Sequence, residues 1–322
     1  MGLSSSKFKP ENLEDMTGKV VLVTGGAAGV GFAVVQHLAR RGAKVYIAAR
    51  GQDKAGDAIE RLRASGLGPG HGKLERLELD LVDPRGVKKA AEEFMQKEER
   101  LDILSIQDVV MVNYIGHYVF TRTLLPLLKR TASEPNRDVR IVDVSSDGYD
   151  AVRHPVQFHS IADFNLEYKD NVFPWPALMR YCYSKFLIML HVTELQRRLD
   201  EEGVPILVLT THPGTINSGT SLTHFTPHGV KKWIESLGSG PVASFVRYMI
   251  NLFFTMPTHG AYSTVFAAAA PEVRAEPRKF RGSYITPPTK HSQLTPKARD
   301  PETSKDLWEL TERVLKDVGV TV

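Results

Sequence analysis

The sequence predicts an α/β fold: one doubly wound parallel sheet, with a small helical lid over its substrate side. Three observations predict it. Short apolar, β-branched runs alternate with helix-period segments from Val20 onward, in the order βαβαβα. A glycine-rich turn, Gly25 to Gly31, lies directly between the first such run and the first helical segment. No internal repeat or compositional shift marks a second domain, so residues 17–322 read as one unit behind a flexible tail, residues 1–16.

The elements follow in order. Val20-Val21-Leu22-Val23 is a buried strand, because continuous apolar runs suit strands covered on both faces. Phe32 to Arg41 has helical spacing and stops at Gly42. Lys44 to Ala49 is the second strand, and Asp53 to Ala64 a helix with Ile59 and Leu62 on its inner face. Gly66 to Gly72 connects to a third strand, Leu74 to Leu79. Pro84 to Arg100 is the third helix, with Asp83 before Pro84 as its N-cap. Leu101 to Ile106 gives a fourth strand and about Gln107 to Lys129 a helix. Val139 to Val144 is an apolar strand ending at Ser145-Ser146. A polar and aromatic stretch, Asp147 to Met179, precedes a helix over Tyr181 to Asp200. Pro205 to Leu209 is a strand leading to His212-Pro213-Gly214. The rest gives a helix-rich insertion over Ser218 to Phe254, with the lid at about 218–256, and a helix over Ala261 to Ala270. A short strand near Ser283-Tyr284-Ile285 and a last helix, Lys305 to Val318, complete the chain.

Composition narrows the function. The chain is 42% hydrophobic and 24% charged, an ordinary globular mix that excludes collagen, coiled coil and wholesale disorder. A net charge of +4 over 322 residues, with no basic stripe, gives no reason to expect a nucleic-acid partner. One cysteine, Cys182, excludes an internal disulfide framework and fits a reducing, cytoplasmic setting. No run reaches about 18 apolar residues, so no spanning helix is expected. The polar N-terminus does not read as a secretory signal. Met1-Gly2-Leu3-Ser4-Ser5-Ser6 fits a loose myristoylation pattern at Gly2 and equally an unmodified tail; one acyl chain gives only marginal membrane binding.

Several residues carry chemistry. In Thr24-Gly25-Gly26-Ala27-Ala28-Gly29-Val30-Gly31, glycines let the chain turn sharply and let a pyrophosphate approach the helix N-terminus, where free N–H groups favour an anion. Where a ribose-binding acid would end the second strand, the chain reads Ala48-Ala49-Arg50. A cation there, with Lys54 one turn on, pairs with a 2′-phosphate and favours NADP(H) over NAD(H); the other reading of Arg50 is a solvated surface arginine. Asp80-Leu81 ends the third strand and, with Asp83 as the cap, leaves the Asp80 carboxylate for an adenine amino group. Tyr181 and Lys185 stand at i and i+4, on one helix face about 5–6 Å apart at Cβ. A phenol titrates near 10, and a neighbouring ammonium favours its ionised form. Ser146, at the carboxyl end of its strand, can donate to a carbonyl oxygen as charge develops; Ser145 reads as a turn or cap residue.

Together these residues resemble the short-chain dehydrogenase/reductases over about Thr17 to Val318, with the retinol dehydrogenase and WW-domain-containing oxidoreductase subgroup most similar, though no WW module is present. The resemblance implies a Rossmann-type catalytic domain. It implies that Tyr181 is the acid in reduction and base in oxidation. Lys185 lowers the Tyr181 pKa and holds the nicotinamide ribose, and Ser146 steadies the substrate oxygen. Asn113, in Val112-Asn113-Tyr114-Ile115-Gly116, links Lys185 to solvent through a water. Gly25, Gly29, Val30 and Gly31 line the pyrophosphate; Pro213, Gly214, Ile216 and Ser218 contact the carboxamide or phosphates. One departure stands out. The family's Asn-Asn-Ala-Gly motif after the fourth strand, and the long connection behind it, are missing; only nine positions separate Leu104 from Asn113.

Phe158, Phe164, Phe173, Trp175, Trp233, Phe245, Phe253 and Phe254 read either as core or as the lining of a pocket for a hydrophobic small-molecule alcohol or carbonyl. His154, His159 and His228 lack metal-ligand spacing, and no metal is expected. Two functions follow: an NADP(H)-dependent oxidoreductase, favoured by Tyr181, Lys185 and Ser146, and a catalytically impaired dinucleotide-binding or interaction protein, favoured by the missing motif.

Overall fold

The computed structural model describes residues 8–106, 112–153, 155–164, 166–168, 176–214 and 257–322. Eight strands form one sheet in the order β3-β2-β1-β4-β5-β6-β7-β8. They are β1 (Val20–Thr24), β2 (Lys44–Ala49), β3 (Leu74–Glu78), β4 (Ile103–Ile106), β5 (Val139–Val144), β6 (Ile206–Thr211), β7 (Tyr284–Thr286) and β8 (Lys290–Ser292). Seven are parallel; β8 turns back antiparallel on β7 in a hairpin that the sequence reading lacks. The chain winds outward from β1 to β3, then crosses back so that β4 lies on the other side of β1. That reversal opens a crevice beyond the carboxyl ends of β1 and β4, where such sheets bind ligands.

Alternation along the buried strands divides the core between the two faces. Val21 and Val23 pack with Leu38, Ile47 and Leu62, under α1 (Gly29–Arg40), α2 (Gln52–Ala64) and α6 (Pro257–Ala269). Val20 and Leu22 face Phe94, Phe120, Phe186 and Trp308, under α3 (Pro84–Lys97), α4 (Val112–Ser133), α5 (Pro176–Glu201) and a C-terminal helix, α7 (Pro301–Asp317). Phe158 and Phe164 take the core reading in this second layer. Two short helical turns, Pro271–Ala275 and Pro277–Phe280, lead into β7.

Caps follow the sequence rules. Asp83 accepts from the Arg85 N–H at 3.0 Å with Pro84 at the first helical position, and Asp300 accepts from Thr303 at 2.8 Å before Pro301. α5 starts at Pro176, five positions before the predicted Tyr181, because proline is preorganised for a first turn. α4 runs over Val112–Ser133; the predicted start near Gln107 falls in residues 107–111, which lie outside the described residues. Five residues, 107–111, lie between the end of β4 at Ile106 and Val112. Among the described residues no helix is long and apolar enough to cross a membrane.

Candidate active site

The site grows from the carboxyl edge of the sheet. After β1 the chain turns through Gly25 and Gly29, at φ +62° and +56°, into α1. Gly25 N–H donates to Ala48 O at 2.9 Å and ties this turn to β2. Gly31 lies so close under it that a Cβ would stand 2.4 Å from Gly25 O. Val30 packs against the layer of α1 and α6. Ala28, at the N-cap in extended conformation, offers no side-chain cap to the first N–H groups of α1. Those donors and the helix dipole suit an anion. Arg50 is exposed just past β2, and Lys54 is exposed in the first turn of α2. Asp80 is exposed past β3 and accepts from its own Val82 N–H at 3.2 Å. Leu81 is buried, and its carbonyl lies against Gly116 of α4, where a Cβ would stand 2.6 Å away. The residues present thus fit a dinucleotide: a tight glycine cradle, an uncapped helix N-terminus and an exposed cation past β2.

The reactive end lies at β5 and α5. Ser146 Oγ accepts from Gly148 N–H at 3.2 Å and is hydrogen-bonded to the Tyr181 hydroxyl. Lys185 puts its Nζ 5.7 Å from the centre of the Tyr181 ring and donates to Val144 O at 2.9 Å. Ser145 Oγ donates to Lys185 O at 3.2 Å, the structural role read for it. Burial pushes the Tyr181 phenol up, and the Ser146 hydrogen bond opposes this. Burial is the larger of these two influences. Past β6, Pro213 and Gly214 are half-buried, with Gly214 at φ +81°. Asn113 lies in the first turn of α4; its side chain, with Ile216, Ser218, Gly2, the lid at 218–256, His154, Phe173, Trp175, His228, Trp233, Phe245, Phe253 and Phe254, lies outside what is described.

Two groups near this edge escaped the sequence reading. Asp147 accepts from Tyr284 OH at 2.5 Å and sits 3.2 Å from His212 Nε2, drawing β5, β6 and β7 together. Burial lowers His212 below the ordinary histidine value and Asp147 opposes it. Asp143 on β5 is 2% exposed, and its Oδ2 has no hydrogen-bond partner among the described residues. Burial pushes its carboxyl up to about 7, and the Lys185 charge draws it back. Two charged residues, Arg140 and Asp143, inside an otherwise apolar, doubly covered strand were the available signal.

The raised Asp143 pKa gives a prediction about stability. The folded state keeps this proton where the unfolded chain, near 3.8, has lost it. The resulting stability is full below about pH 4 and disappears as pH rises to about 7, a loss of up to about 4 kcal/mol. Asp143→Asn, which cannot ionise, should therefore melt several degrees above wild type at pH 8, with that advantage shrinking toward pH 4. Thermal melts at both pH values check it; a difference independent of pH refutes it.

A family model described as short chain dehydrogenase matches residues 19–153. A short-chain dehydrogenase/reductase of Armillaria gallica is 37% identical, covering 98% of this chain and 98% of its own. The short chain dehydrogenase/reductase dpchH of Colletotrichum higginsianum is 36% identical, covering 99% of this chain and 80% of its own. In three dimensions the Pseudomonas aeruginosa RhlG/NADP active-site complex matches with TM-score 0.60 at 21% identity, over 85% of this chain and 96% of that one, a likeness of fold. Relatives of that identity spanning nearly the whole sequence decide the matter: the chain belongs to the short-chain dehydrogenase/reductase family.

Proposed function

We propose that this oxidoreductase transfers hydride between NADP(H) and an apolar alcohol, ketone or aldehyde, with Tyr181 as its acid and base. The observation that carries the reading is the meeting of Tyr181, Ser146 and Lys185 at the carboxyl end of β5. When bound, NADPH would supply the hydride. Tyr181 keeps its proton at neutral pH because burial raises its pKa, the state in which it can donate to a substrate oxygen. Ser146, already bonded to that hydroxyl, holds the same oxygen in place. In the oxidation direction Tyr181 must give up its proton, so that rate should climb with pH. The test is NADPH binding by fluorescence, followed by turnover on a panel of apolar aldehydes and ketones.

The preference for NADP(H) rests on Arg50, exposed past β2 with no carboxylate at that strand end, and on Lys54 beyond it. A charge-assisted bond to a 2′-phosphate contributes roughly 1.5–3 kcal/mol. Arg50→Ala should therefore weaken NADPH binding about tenfold or more and leave NADH binding unchanged. Equal losses for both dinucleotides would remove the preference. A cytoplasmic setting suits the single, buried Cys182.

The nine positions from Leu104 to Asn113, too few for the family's motif and its connection, favour a second reading, a dinucleotide-binding protein with impaired catalysis. NADPH binding without turnover on any carbonyl of the panel would select it.

A further inference from the structure

Asp143 is a buried titratable group with no part in the chemistry above. Its strand neighbours fix where it points. It pairs with Ile106 on β4 and Thr210 on β6. Ile141, two positions back, packs in the layer of α4 and α5, so by alternation Asp143 faces the same layer. Arg140 belongs to the opposite face, where it pairs with Asp138 and donates to Ala267 O and Ala270 O at the end of α6. On α4, Tyr114 and Tyr118 direct their hydroxyls to Thr311 and Glu312 of α7; the helix's other buried titratable side chain is His117. From α5 the facing charge is Lys185, the cation among the described residues that acts on this carboxyl. Lys185 Nζ is anchored on the carbonyl of the next residue, Val144, at 2.9 Å. The anchor holds the ammonium on the residue next to Asp143 and 5.7 Å from the centre of the Tyr181 ring.

We propose that Asp143 is a positioning residue for the proton chemistry at Tyr181: a buried carboxyl that, when ionised, takes up part of the Lys185 charge and so sets how strongly Lys185 favours the Tyr181 phenolate. The inference rests on the reading of Tyr181 as acid and base. While Asp143 is protonated, the ammonium acts on the phenol unopposed. Once Asp143 ionises, the two charges partly cancel and the phenol is harder to ionise. Asp143 thus works against alcohol oxidation at high pH and leaves the proton on Tyr181 for reduction.

Two measurements on the full chain test it. In the first, the protein carries carboxyl-¹³C aspartate, and the Asp143 resonance is identified by its loss in Asp143→Asn. Its titration midpoint should lie near neutrality and move up in Lys185→Met, where the cation is gone. A midpoint in the ordinary aspartate range, or one indifferent to Lys185→Met, overturns the proposal whether or not the protein turns over. The second is the pH–rate profile of alcohol oxidation with NADP⁺. Asp143→Asn keeps the shape of the side chain, and the Tyr181 limb should shift down by roughly half to one pH unit, with the KM for NADP⁺ little changed. A merely structural Asp143 would change rate or stability and leave that limb in place, and such a result overturns the proposal. A coupled Asp143 titration in a chain that turns over no substrate supports the carboxyl–ammonium coupling and removes the oxidoreductase reading beneath it.

Discussion

Tyr181→Phe should lower kcat for carbonyl reduction by about 10²–10⁴, the span that general acid–base groups contribute. The substitution keeps the ring under the Lys185 ammonium and removes one oxygen, the atom bonded to Ser146. The ring fills the same space, so melting temperature and NADPH affinity should change little. Ser146→Ala should give a smaller kcat loss, toward 10², because Tyr181 still delivers the proton while the substrate oxygen loses one donor. The pH dependence separates the two roles. With Tyr181 present, reduction holds through neutrality, where burial keeps the phenol protonated, and weakens as pH climbs toward its ionisation. With phenylalanine in its place, residual turnover should show no such limb. A Tyr181→Phe protein that keeps more than about a tenth of the wild-type rate would remove this residue from the chemistry.

The sheet was legible because its strands announce themselves locally. Val20 to Val23 is apolar enough to require cover on both faces, and the glycine turn fixes the winding after β1. Asp83 was legible as a cap because the rule that places it, proline at the first helical position, spans two residues. Tyr181 and Lys185 were legible for the same reason, since four positions on one helix decide their neighbourhood. What failed to show was set by partners distant in sequence. Tyr284 and Asp147 stand 137 positions apart and meet only because β7 joins the sheet beside β6. Asp143 is one of two charged residues, with Arg140, in its strand until α5 sets Lys185 against it. The direction of the Tyr181 shift belongs to the same class. Helical spacing supplied the lysine, while burial, which raises the phenol, depends on the folded surroundings of Tyr181.

Gly31→Ala should be the most damaging single methyl in the cofactor cradle. The added Cβ would meet Gly25 O at 2.4 Å, Gly25 C at 2.8 Å and Gly26 Cα at 3.1 Å. All three are backbone atoms, so no side chain can swing aside to relieve the contact. The turn must open, yet Gly25 is held to β2 through Ala48 O and already occupies φ +62°. Overpacking of this kind costs about 1–3 kcal/mol, which should appear as a lower melting temperature. The binding effect is separable from it. Opening the turn withdraws the first N–H groups of α1 from one another, and NADPH affinity should fall at least about tenfold as those donors to the pyrophosphate are lost. Two other glycines isolate the cause. Gly29→Ala meets nothing within 4 Å and strains only its own φ of +56°, at about 1–2 kcal/mol. Gly116→Ala would press on Leu81 O at 2.6 Å, on the far face of the sheet, and should destabilise the chain with a smaller loss of NADPH binding. If Gly31→Ala melts low but binds NADPH as wild type does, the tight turn serves packing alone and the pyrophosphate belongs elsewhere on the sheet edge. If binding falls for Gly31→Ala well beyond the loss in Gly116→Ala at matched stability, the N-terminus of α1 is where the anion rests.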